Sequence, residues 1–264
     1  MDSEHQPRSD ARYIFGYLLE MYVYLVLANS ITPYGLMESR HVPYDAFLEN
    51  LGSSLGTYDT FGIMFSGCHE LFELIPTISR FAATRLKADE LHAPPKTGTP
   101  DSDSFHTRTS ACIRNWRPSQ AQPFSADETL KRSAIGEVYR QAMFIYLETA
   151  VLGAAGLPAS ADVQSRLQEH IALIGQAVED HSLVTSAFAT IILWPMVIVG
   201  SVLLQDDQQQ QLAQGLRMPL YATCTSVQTA ELLELLWKDE DPRSFGPYGL
   251  CLVMEKHQIN LCLS

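Results

Sequence analysis

At 264 residues and 46 % hydrophobic content the chain has ample material for a core, whether as one large domain or two small ones. Thirty acidic residues against eighteen basic ones leave a formal net charge of −12. No basic run exceeds a pair, the densest being Lys131-Arg132, so the clustered cations that displace counterions from nucleic acid are missing and direct DNA binding is not expected.

The first eight residues are polar. Ser9 and Asp10 offer an N-cap, and residues 11–28 read as a long, nearly all-apolar helix rich in tyrosine, with Glu20 as its one charge after Arg12. No basic segment precedes it, so no secretory signal is expected. Between Tyr34 and Tyr58, Gly35, Pro43, Gly52 and Gly56 break the text into short turns. A helix follows, with Leu71, Leu74, Ile75, Ile78, Phe81 and Ala82 at helical spacing, and Pro76 bends or restarts it. From His92, Pro, Gly, Ser, Thr and Asp take over, and residues 92–125 are expected to form a mobile loop excursion.

Ser125 and Glu128 form a capping box that opens a helix running to about Gly153. Ser160 caps a half-exposed helix carrying Val163, Leu167, Ile171, Ile174 and Val178. Leu183–Leu204 then gives twenty-two positions without a charged side chain. Trp194-Pro195 in its middle and flanking aspartates argue against a membrane span. The stretch reads instead as a buried central helix, kinked near Pro195, around which the others pack. A glutamine-rich tract starting a surface helix, a helix from about Pro219 to Trp237, and a last one from Tyr248 to about His257 complete the chain. No strand-turn-strand signal intervenes. The expected fold is therefore all-α: one domain over residues 1–264, an antiparallel helical array.

Several phrases occur in a fixed order. They are Gly67–Pro76, Ile113–Trp116, Val138–Ala142 leading to Ile145–Ala150, Leu193–Pro195 with Gly200-Ser201, Leu232–Trp237 and Gly249–Met254. Together they resemble the fungal-specific transcription factor domain that follows a binuclear zinc cluster in many fungal regulators. The resemblance implies an all-helical regulatory region, nuclear location and transcriptional control, often of metabolic or secondary-metabolite genes. Three departures stand out. No cysteine-rich, basic zinc cluster is present, the helices that normally lie before the Tyr13 segment are missing, and the Gln208–Gln211 run holds no arginine where the family usually has one.

Five cysteines, no two closer than eleven positions, fit no zinc motif, so neither a metal nor another cofactor is expected. Cys68 beside His69 makes no catalytic pair, since neighbouring helical residues point about 100° apart. His69 and Glu73 at i, i+4 lack a third ligand. Glu20, Glu70, Arg140 and Glu148 are charges within apolar helices, explained as structural ion pairs, such as Arg140 with Glu137, as a solvent-facing edge, or as the polar floor of a cavity. With His69, Tyr139 and Trp194 they form the candidate ligand-binding set; no catalytic residue is assigned.

The resemblance therefore implies a transcription-factor-like regulator without a DNA-reading head, in nucleus or cytoplasm. It would act through a small-molecule effector, or as a homodimer or heterodimer with another regulator, away from membranes. The alternative is a cyclase or isomerase of an apolar natural product on the same scaffold, using a carboxyl of raised pKa as acid. An enclosed charged cavity would mark the enzyme, and a filled core with an exposed groove the regulator.

Overall fold

A computed structural model describes residues 6–28, 48, 50–90, 100–118, 125–152, 160–183, 191–218, 224–259 and 261. Among these the secondary structure is helical and contains no strand, so the protein is all-α. In chain order the helices are α1 (Gln6–Ala28), α2 (Leu51–Leu55), α3 (His69–Phe72), α4 (Leu74–Glu90), α5 (Pro100–Asn115), α6 (Ala126–Leu152), α7 (Ala161–Asp180), α8 (Leu193–Ser201), α9 (Asp206–Leu216), α10 (Cys224–Lys238) and α11 (Gly246–Lys256). Buried apolar side chains from Val23 to Leu261 join in one contiguous core.

The hub of that core is α6. It packs against α3, α4, α5, α7, α8 and α11. Between Ala134 and Ala150 every residue is buried except Glu137, Arg140 and Phe144, which lie on one narrow stripe. A helix apolar on nearly all sides must be covered on nearly all sides. The capping box forms in half: the Ser125 hydroxyl accepts from the Glu128 N–H at 3.2 Å, while the Glu128 carboxylate turns to Arg132 at 3.0 Å.

The uncharged stretch expected to be the central kinked helix is organised differently. Only Leu193–Ser201 of it is helical among the described residues, and residues 184–190 lie outside them. Pro195 is the third residue of α8, where the backbone N–H has no intrahelical acceptor to lose, so it starts the helix and puts no kink in its middle. Pro76 does the same in α4. The burial expected of the stretch holds: Leu193, Trp194, Val197, Ile198 and Val199 are core residues. Gly200 lets α8 close against Leu212 of α9 and Leu233 of α10, where an added Cβ would lie under 3 Å from both. The Trp237 indole donates to the Gly200 carbonyl at 2.8 Å, satisfying one of the acceptors left over at the end of α8.

The expected 92–125 loop excursion is corrected over its middle. Residues 100–115 form α5, while 91–99 and 119–124 lie outside the described residues. Ser102, Phe105, His106, Thr109, Ser110 and Ile113 share one face of α5, and it packs mainly on α6. Phe105 stacks on Phe81 of α4 at 4.0 Å between centroids, and Ser102 accepts from Arg85 at 3.2 Å.

Helix α1 packs on the rest through Gly16, Glu20, Val23, Tyr24, Leu27 and Ala28. Its segment Asp10–Ala28 is, among the described residues, the one helix long and apolar enough to cross a membrane, by length and composition alone.

Candidate functional site

The seven candidate residues divide among separate places. Glu20 projects from α1 onto the turn at residues 60–67, which winds through positive φ at Gly62, Ser66 and Gly67 and so turns several N–H groups the same way. Its Oε1 accepts from the backbone of Gly62 at 3.1 Å, Met64 at 2.9 Å and Phe65 at 3.2 Å. From the opposite side Arg132 of α6 donates to the Gly62 and Ile63 carbonyls at 3.4 and 3.3 Å. The turn is gripped by its donors at one end and its acceptors at the other. Burial pushes the Glu20 carboxyl up to about 7, against the downward pull of those N–H groups.

His69 is buried at the start of α3, its ring 4.5 Å from that of Phe61. Burial lowers its pKa. Glu73, one turn on, accepts from the Gly52 N–H at 3.1 Å, so its carboxylate holds α2 in place. Glu70 is exposed. Among the described residues, no group of three His, Cys, Asp or Glu is placed to hold a metal ion.

Tyr139 and Trp194 meet in the deep core. Their rings stack at 5.7 Å and 9°, and Tyr146 stands edge-on to Trp194 at 5.8 Å and 80°. Phe72 lies 4.7 Å from Tyr139 on the other side. The Tyr139 hydroxyl donates to the Ile191 carbonyl at 2.5 Å, and Tyr24 reaches the same oxygen at 3.4 Å. These rings pack against one another and fill the space that an aromatic-walled cavity would need.

Glu148 sits where α5, α6 and α7 meet. It accepts from His106 at 2.9 Å and from Arg166 at 2.9 and 3.3 Å. Burial alone would raise its pKa, but the hydrogen bonds and charges of His106 and Arg166 outweigh that and hold it at about 2. It is ionised at neutral pH and is no proton donor. Because the folded pKa is depressed, this ion pair contributes above the ordinary carboxylate range and is lost as pH falls towards 2. Arg166→Ala should therefore lose about 1 kcal/mol at pH 7, a modest figure because the guanidinium is half in solvent. Near pH 2, where the folded carboxyl is about half protonated, it should lose much less. Urea denaturation of both proteins at the two pH values checks this.

Arg140 belongs to a fifth place, with Glu137, to which it donates at 2.7 Å as the i, i+3 pair foreseen from sequence. Both flank an open groove of about 530 Å3 between α6 and α7. Leu130, Ala134, Leu173 and Ala177 line it with apolar groups, and Arg117, Ser133, Gln176, Asp180 and His181 with polar ones. Trp116 closes one end, lying so close to α6 that a Cβ on Gly136 would come 2.5 Å from its ring. Sequence reading missed this groove, although Trp116 and Arg140 both fall within quoted phrases. The signal available was Leu130 and Leu173, apolar residues off the core stripes of their helices and both exposed.

Comparison with curated proteins and with solved structures found no match. A family model does match, that of the fungal specific transcription factor domain, over residues 5–264. The match spans nearly the whole chain, takes in every phrase that carried the resemblance, and agrees with an all-α fold centred on α6. The chain belongs to the fungal specific transcription factor domain family.

Proposed function

We propose that this transcription-factor-like regulatory domain responds to a small, largely apolar effector held in the groove between α6 and α7, and that the response serves a metabolic or secondary-metabolite pathway. The observation that carries the reading is the groove itself. At about 530 Å3 it falls within the span of small-molecule sites, and it offers them apolar surface from Trp116, Leu130, Leu173 and Ala177 beside polar groups that could fix an orientation. The interior supports the same reading. The candidate aromatic residues are packed ring against ring, and Glu148, which could have served a cyclase as acid, is committed to an ion pair.

The test is a native mass spectrometry screen of apolar metabolites against the wild-type chain and Ala177→Trp, whose indole fills the groove. The reading expects a bound species with the wild type, weakened at least about tenfold in the variant while the melting temperature without ligand is kept. Equal binding by both proteins, or no binding by the wild type, overturns it.

A further inference from the structure

We propose that the outward face of α1 is a self-association surface on which a second copy of this chain docks. Tyr13, Ile14, Phe15, Tyr17, Leu18 and Tyr22 lie within three turns and are each between 37 % and 58 % exposed. Scattered exposed apolar residues are ordinary on a protein surface, but a contiguous set is not. Large apolar side chains bury roughly 150–250 Å2 each, so these six half-covered ones present on the order of 600 Å2. A standard protein interface takes about 800 Å2 from each partner. The apolar face supplies most of that area.

The face is also self-complementary. Ile14, Leu18 and Tyr22 repeat at every fourth position, and Tyr13 and Tyr17 run beside them. From Tyr13 to Ala28 the sole charged residue is Glu20, which is turned inward onto the 60–67 turn. Arg12, at the edge, is held by the Thr57 carbonyl at 2.8 Å and lies over the Tyr58 ring. Two copies related by a two-fold axis near Leu18 can therefore meet with Ile14 of each against Tyr22 of the other, leaving Asp10, one turn before Ile14 on the same ridge, at the outer end of the contact. A lipid surface is the less favoured occupant. Crossing a bilayer would tear Glu20 from its three N–H donors, whereas a second copy leaves them in place.

The experiment is analytical ultracentrifugation of the full chain at tens of micromolar, together with vesicle flotation on phosphatidylcholine containing phosphatidylserine. The wild type should sediment at twice 29.4 kDa. Leu18→Arg, an exposed site that tolerates charge in the monomer, should weaken the dimer at least about a hundredfold with the melting temperature of the monomer kept. Ile14→Lys and Tyr22→Glu should each be monomeric alone and pair when mixed, since the axis sets one against the other. A monomeric wild type overturns the proposal, as does a dimer indifferent to Leu18→Arg. So does a wild type that floats with vesicles and loses that property in Leu18→Arg, which would assign the face to lipid.

Discussion

Trp194→Ala should lower the unfolding free energy by about 3–5 kcal/mol, the usual cost of truncating a buried tryptophan. The indole is fully buried, with Tyr139 stacked on one face and Tyr146 set edge-on. Neither neighbour can collapse freely into the space left behind, because the Tyr139 hydroxyl is tied to the Ile191 carbonyl. A residual cavity is the expected result, and it puts the loss at the upper end of that range. Typical domains hold about 5–15 kcal/mol in all, so the variant should be partly unfolded or poorly soluble at growth temperature. Differential scanning calorimetry should show a fall in melting temperature of roughly 10 °C. An unchanged melting temperature with loss of effector binding would instead make Trp194 a binding residue.

Glu20→Ala should be comparably severe, and Glu20→Gln should not. The alanine leaves the Gly62, Met64 and Phe65 N–H groups in the interior without their acceptor, at about 1–3 kcal/mol for each one left unsatisfied. Glutamine keeps an acceptor oxygen there and cannot ionise. With a folded pKa of about 7 against 4.5 for a free carboxyl, the folded protein keeps a proton that the unfolded chain has released between those values. The contribution of Glu20 to stability is thus complete below about 4.5 and is lost as pH rises through 7, by a total of about 3 kcal/mol. Urea denaturation of wild type and Glu20→Gln between pH 4.5 and 8 should show the variant gaining on the wild type as pH rises. A constant difference across that range would mean that the carboxyl is ionised throughout.

Much of the helical layout was legible because it rests on local chemistry. Ser160 caps α7 as expected, its hydroxyl accepting from the Val163 N–H at 3.3 Å, and the Gln-rich tract starts α9. Two errors have physical causes. A proline within an apolar run such as Leu183–Leu204 reads as a kink, yet Pro195 sits in a first turn, where the missing donor costs nothing; Pro76 takes the same place in α4, as the restart allowed for it. Helix α5 was read as loop because its inward face is built from Ser102, His106, Thr109 and Ser110 with only Phe105 and Ile113. The periodicity was present, but in small polar side chains that a search for aliphatic repeats passes over. The site was less legible still. Sequence grouped charges by their oddity within apolar helices, whereas tertiary packing sent Glu20, Glu148 and Arg140 to three different partners.

The three tryptophans of the chain stand in three distinct surroundings. Trp194 is enclosed among aromatic rings, Trp237 donates to the end of α8, and Trp116 forms a wall of the groove. Indole emission follows local polarity, so the molecule carries its own set of optical labels. A guest entering the groove perturbs Trp116 while Trp194 stays in its dry surroundings, and loss of the core shifts Trp194 towards the red. Occupancy and unfolding can thus be followed as separate signals in one unlabelled sample, with Trp237→Phe removing the third contribution at the cost of a single hydrogen bond.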